Sequence, residues 1–416
     1  MTTRPVPLRD DCFALPPGVH WTPVDEALDR LRRGLAPVTG AETVVLGDAF
    51  GRVLVEDVAA RRSSPPGANA AVDGWGFAHA SLPEGGTLPV EPGRSAAGAP
   101  LGRAVRPGRA VRILTGALLP EGVDTVVLQE DAQVRGELVA LGGSVKRGAN
   151  TRLAGEDVEA GALALPAGRT LGAPDLALLA SVGVPRVTVR ERLRVGVLST
   201  GDEIAEPGET LDPARTYDAN RPMLLSVLRR WGFHALDLGG VPDDRPALAA
   251  RLDGAGVHAV LTSGGASAGE EDHVSALLAA EGRVETWRIA VKPGRPLALG
   301  LWRGTPVFGL PGNPVAALVC TLVFARPALS VLAGAGWVEP QGFELPAAFA
   351  KRKKAGRREF LRARVRDGRA EVFASEGSGR VSGLSWAEGL VELADGPRDV
   401  APGDPVRFLP YGAFGL

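Results

Sequence analysis

The spacing of hydrophobic and polar positions divides the chain into three stretches. From about residue 20 to 190, short apolar runs alternate with Gly and Pro. Thr43-Val44-Val45-Leu46, Ala110-Val111-Arg112-Ile113-Leu114 and Asp124-Thr125-Val126-Val127-Leu128 are β-type runs closed by turn residues, and they predict short strands. Residues 24–33 and 174–182 instead repeat apolar positions at helical intervals. The Gly- and Pro-dense stretch 81–108 predicts loops with edge strands.

From about 190 to 335 the pattern changes. Arg194-Val195-Gly196-Val197-Leu198-Ser199 predicts a buried strand, and 220–231 an amphipathic helix with Pro222 in its tolerant first turn. A short strand (234–238), a helix (245–252), a buried strand (257–262) and a helix (271–280) follow, then a strand at 305–310 and a long apolar helix at 315–332. Strands alternating with helices predict a parallel α/β sheet covered on both faces, with ligands gathering beyond the carboxyl ends of its strands. From about 340 to the end, runs at 359–365, 369–373, 389–393 and 404–408 predict a small β-barrel or sandwich.

Composition narrows the function. A chain of 416 residues exceeds one ordinary core, and roughly 100–200 residues per domain predicts two to four domains. A net charge of −1 excludes a global basic field for nucleic acid or a membrane surface, so an anionic ligand must be held locally. Cys12 and Cys320 build neither a zinc site nor a disulfide framework, which fits a reducing cytosol. The first residues lack the apolar core of a secretory signal, and no charge-free apolar run of about 18 residues predicts a membrane span. The only lysines are Lys146, Lys292, Lys351, Lys353 and Lys354, which makes the isolated Lys292 notable in an Arg-rich chain.

Candidate chemistry concentrates at strand ends. Leu261-Thr262-Ser263-Gly264-Gly265-Ala266-Ser267 ends a buried strand in two glycines, and a helix follows; its amides and the Ser263 and Ser267 hydroxyls suit an anion. Glu270, Glu271 and Asp272 come next. The two glutamates are ordinary partners of a helix dipole, and Asp272 is favoured for Mg²⁺ beside phosphate. Leu198-Ser199-Thr200-Gly201-Asp202-Glu203 and Leu310-Pro311-Gly312-Asn313-Pro314 are two more strand ends, predicted to share one crevice with the first. Arg288 and Lys292 fall on one face of an extended segment, suiting a pyrophosphate or a solvated edge strand. Asp243-Asp244 reads as a helix cap. The five histidines form no ligand spacing; His258 reads as structural, and His273 stays open.

Together these words resemble the MoeA family of molybdopterin molybdenumtransferases, which includes the E domain of gephyrin. The resemblance rests on Asp73-Gly74-Trp75, Thr115-Gly116-Ala117, residues 125–131, Gly155-Glu156-Asp157, Ser199-Thr200-Gly201-Asp202-Glu203, Asp218-Ala219-Asn220, Thr262-Ser263-Gly264-Gly265, Lys292-Pro293-Gly294-Arg295-Pro296 and Leu310-Pro311-Gly312-Asn313-Pro314, in the family's order. Arg288 and Arg295 stand where the family often has Lys, and Trp75-Gly76-Phe77 where it usually has a tyrosine and a small residue.

The resemblance implies an α/β plus β architecture. An elongated dimerisation domain (1–60 and 158–190) would carry an inserted β-domain (61–157), followed by a molybdopterin-binding α/β domain (191–337) and a C-terminal β-barrel (338–416). It implies a cytoplasmic homodimer with Mg²⁺ that takes adenylyl-molybdopterin and molybdate to molybdenum-molybdopterin and AMP. The molybdopterin adenylyltransferase is a further possible partner. Asp73, Thr115, Asp157, Glu203, Asp243 and Asp272 are the implied catalytic residues, with Glu203, Asp243 and Asp272 on the metal. Ser263, Gly264, Gly265, Ser267, Arg288, Lys292, Arg295, Pro311, Gly312, Asn313 and Pro314 would bind substrate. A molybdopterin adenylyltransferase and a non-catalytic gephyrin-type scaffold are the alternatives.

Overall fold

The computed structural model describes residues 21–210, 212–264, 273–287, 289–294 and 297–416. Gly265, Ser267, Asp272, Arg288 and Arg295 lie outside them. The chain forms two compact units: one holds the described residues up to 42, with 51–55 and 189–416, and the other holds 43–50 and 56–188.

The first unit is built on a six-stranded sheet of β1 (Arg194–Thr200), β2 (His234–Val241), β3 (Ala259–Ser263), β4 (Arg283–Trp287), β5 (Leu297–Trp302) and β6 (Thr305–Leu310), in the order β2-β1-β3-β6-β5-β4. Alternation decides which side each residue serves. Val195, Val197, Leu261 and Phe308 pack into the core on one face, while Leu198, Val260 and Val307 pack into the core on the other. Both faces are therefore dry, which is why these strands read as continuous apolar runs.

The sheet is mixed and not wholly parallel. β2, β1, β3 and β6 run parallel, but β5 is antiparallel to both β6 and β4. The cause is a two-residue turn: Arg303 and Gly304 both have positive φ (+48° and +88°), which suits a tight hairpin between β5 and β6. The apolar helix runs from Pro314 to Leu332, interrupted by a π-turn at Thr321–Ala325. Pro327 follows after Arg326; it has no N–H to give and its ring crowds the preceding turn, so the ladder widens there. This helix is long and apolar enough to cross a bilayer, yet 94% of it is buried inside the protein, as a core helix should be.

The C-terminal strands form a second sheet. Val291–Lys292, Arg358–Arg366, Gly389–Leu393, Pro405–Pro410 and Phe343–Pro346 pair in that order, and Arg369–Val372 pairs with the far part of Arg358–Arg366. A single bridge, Ala347 to Ala370, links the two ends of this set.

The second unit has its own six-stranded sheet, ordered 125–128, 74–77, 110–113, 87–95, 138–141 and 132–135. Within 81–108, Thr87–Ser95 is a nine-residue strand in the interior of this sheet and not at its edge. Pro92 is absorbed because the register shifts between Val90 and Arg94, across Pro92-Gly93. Trp75, Phe77, Leu88 and Val139 fill one core of this unit, and Ile113, Ala117 and Val126 another.

Candidate functional site

The site lies at the carboxyl edge of the α/β sheet. The ladder sets Ser199 opposite Ser263, and Ser263 opposite Leu310. The Gly264 N–H donates to the Leu310 carbonyl at 3.3 Å. Gly264 has φ +89°, and a Cβ there would stand 2.5 Å from the Thr200 carbonyl oxygen, so only glycine fits. A cavity of about 470 Å³ opens at this edge. Glu203, Ser263, Gly264, Gly312, Asn313 and Pro314 line it, which brings the three strand ends to one place; Pro311 is buried just behind.

The cavity wall is under-bonded. Among the described residues, the hydroxyls of Ser199 and Thr200 and the amide oxygen of Asn220 are buried without a hydrogen-bond partner. A buried group left so costs about 1–3 kcal/mol. Just behind the wall the bonding is dense. Helix α1 (Asn220–Arg230) begins where the Asp218 carboxylate accepts from the Asn220 and Arg221 amides at 3.1 and 3.0 Å. The Arg221 guanidinium meets Asp218 at 3.1 Å, Asp237 at 2.8 Å and also Glu206. Burial works against its charge, yet these carboxylates raise its pKa above the ordinary value.

Asp243 follows β2, next to β1, and its N–H donates to Asp202 Oδ1 at 3.2 Å. Asp244, not Asp243, caps the helix Arg245–Asp253, accepting from the Ala247 amide at 2.8 Å. Glu203 and Asp243 offer carboxylate oxygens, the donor type that suits a hard divalent ion. Among the described residues no group of three or more His, Cys, Asp or Glu could hold a metal, and Asp272 lies outside them.

Lys292 does not line this cavity. It lies at a smaller one of about 190 Å³, shared with the C-terminal sheet, where its ammonium donates to Glu376 at 2.7 Å and Glu359 at 3.5 Å. Lys351 pairs with the same two carboxylates. Burial pushes the Glu376 carboxyl up, but the two lysines hold it below the usual carboxylate value.

In the second unit, Asp73 and Thr115 form one device. Asp73 Oδ1 accepts from the Thr115 amide at 2.7 Å and from its hydroxyl at 2.6 Å, and the hydroxyl bond contributes most to holding the Asp73 carboxyl below its usual range. Gly74 is forced, since a Cβ there would stand 1.9 Å from the Val127 carbonyl oxygen. Asp157 is exposed, with its amide donating to Ser64 O at 3.1 Å.

Three family models fall on the chain in order: the MoeA N-terminal region (domains I and II) on residues 22–183, a probable molybdopterin binding domain on 196–331, and the MoeA C-terminal region (domain IV) on 344–411. The molybdopterin molybdenumtransferase of Haemophilus influenzae is 34% identical over 397 residues, covering 93% of this chain and 98% of that one. The chain belongs to the MoeA family. Molybdopterin molybdenumtransferase 2 of Mycobacterium tuberculosis is 35% identical over 396 residues, covering 88% of this chain and 94% of that one. A crystal structure of the molybdopterin biosynthesis MoeA protein from Pyrococcus horikoshii superposes with a TM-score of 0.81 at 26% identity, covering 94% of this chain and all of that one.

This MoeA chain also carries cavity-lining residues beyond the implied substrate and metal ligands. The sequence places the Ser199 and Thr200 hydroxyls at the sheet's edge without giving them a role, and Asn220 stands only inside a motif, because serine, threonine and asparagine at strand and helix ends are common in turns. Gly379 and Val381 line the cavity from the C-terminal stretch and carry no local signal. Glu376 and Lys351 could be joined to Lys292 only through the fold.

Proposed function

We propose that this chain inserts molybdate into adenylyl-molybdopterin with release of AMP, the final step of molybdenum-cofactor assembly. One observation carries the reading: in a chain related almost end to end to molybdenumtransferases, strand ends far apart in sequence meet in a cavity lined by Ser199, Thr200 and Ser263, and the first two of these hydroxyls find no partner among the described residues. Such hydroxyls donate to phosphate oxygens, and the glycine backbone of Gly264 and Gly312 lets those oxygens approach closely. Glu203, Asp243 and Asp272 are the residues that would hold Mg²⁺, which, when bound, supplies charge stabilisation as the phosphoanhydride breaks. Ser263 and the Pro311–Pro314 turn fix the substrate, with Gly265, Ser267, Arg288 and Arg295 in the same role.

The reading includes a cytoplasmic homodimer whose second copy supplies its own Asp73, Thr115 and Asp157 near molybdate. It also includes the four-domain division, with the C-terminal strands as the small barrel. Purified protein given adenylyl-molybdopterin, molybdate and Mg²⁺ should release AMP in step with molybdenum incorporation. Consumption of ATP and free molybdopterin would instead make it the adenylyltransferase. No turnover, together with one stoichiometric protein partner, would make it a scaffold.

A further inference from the structure

Asn220 ties two of the strand ends together through its side chain. It is 6% exposed, and its Nδ2 donates to Ser263 Oγ at 2.6 Å and to the Gly312 carbonyl at 2.6 Å. A carbonyl only accepts, so the contact with Gly312 fixes which end of the amide is nitrogen. That leaves Oδ1 as the end without a partner among the described residues, on a side chain that lines the cavity.

The bond to Ser263 has a consequence for the proton on that hydroxyl. A serine oxygen that accepts from an amide N–H keeps its own O–H free to donate elsewhere. Among the described residues no hydrogen bond gives that proton an acceptor, and Ser263 lines the cavity. We propose that Asn220 is a positioning residue that turns the Ser263 hydroxyl into a fixed donor aimed at an anionic oxygen of the substrate, while its second N–H holds the Gly312 turn at the same oxygen's distance. The inference rests on the reading of this cavity as the phosphate site and adds a residue to it.

Asn220→Asp is the sharp variant. A carboxylate keeps the shape but donates nothing, so it would draw the Ser263 proton to itself and repel both the Gly312 carbonyl and the ligand. The test is a double-mutant cycle of N220D and S263A, read by calorimetric titration with inorganic pyrophosphate. N220D should weaken binding by about tenfold in the wild-type background and by less than about twofold when Ser263 is already alanine. Equal losses in the two backgrounds, or unaltered binding in N220D, overturn the inference, as does a wild-type chain that binds no pyrophosphate. Should N220D not fold, N220A removes the amide without burying a charge and runs the same cycle. Turnover is not the readout, so a chain that binds pyrophosphate through this pair but releases no AMP would sink the proposed reaction and leave the role of Asn220 standing.

Discussion

Two cavities of the first unit are lined by different kinds of polar group, and the contrast separates groups left without partners among the described residues from groups already paired. At the strand ends, Ser199, Thr200 and Asn220 each hold a buried polar atom with no partner among the described residues. At the cavity shared with the C-terminal sheet, Lys292, Lys351, Glu359 and Glu376 pair with one another. Unsatisfied neutral groups cost stability that a ligand returns, whereas a closed set of ion pairs must be broken before any ligand can use it. The most recognisable cation of the sequence lies in the second kind of place.

The largest effect should come from what keeps the first cavity rigid. Arg221 and Asp218 are a buried pair, their side chains only 10% and 4% exposed. Arg221→Met keeps the volume and strands the Asp218 carboxylate. A loss of about 3 kcal/mol is expected, measured by chemical denaturation followed through tryptophan emission. A loss below about 1 kcal/mol would mean that water already screens this network, and the wall would not be the fixed element assumed here.

Next in size is a variant that moves stability and binding in opposite directions. In Thr200→Val the buried, unpartnered hydroxyl is gone. Stability should hold or rise by up to about 1 kcal/mol, since nothing is lost in the free protein, while pyrophosphate binding weakens about tenfold. The reverse pattern, a less stable protein with unchanged affinity, would show that the hydroxyl is satisfied within the fold and that the two cavities do not differ as described.

How far the sequence disclosed this arrangement follows from the range of each signal. Period-two and period-3.6 spacing is local, so the strands that became β1, β3 and β6 were legible, and with them the edge where Ser263 and Gly312 meet. The hairpin that turns β5 antiparallel was not: Arg303-Gly304 is a modest turn signal, and no strand is predicted between Pro296 and Thr305. Lys292 itself shows the limit best. Its motif marked it as a phosphate ligand, but its neighbours Glu359 and Glu376 come from a different sheet, and charge pairing across such a distance in the chain leaves no pattern in composition or spacing. Asp73 and Thr115 are the intermediate case: each was legible as a residue, and their mutual hydrogen bonds were not.

The smallest effect is the one that tests the second cavity directly. Glu376→Gln leaves Glu359 to serve both lysines, and the site is partly exposed, so stability near neutral pH should change by less than about 1 kcal/mol. The pH dependence is more telling. The Glu376 carboxyl is held below its ordinary value, so its contribution is fully present above about pH 5 and is lost as the pH falls through the lowered value. In the glutamine variant that acid-side loss of stability should be shallower, as a pH series of denaturation curves will show. The same variant decides what Lys292 is for. If Glu376 competes with a phosphate oxygen for this ammonium, removing its charge should tighten pyrophosphate binding about threefold, and the gain should vanish when Lys292 is also replaced by Met. Unchanged affinity would mean that Lys292 serves the fold by tying Val291–Lys292 to the C-terminal sheet, and that the strand-end hydroxyls hold the anion without it.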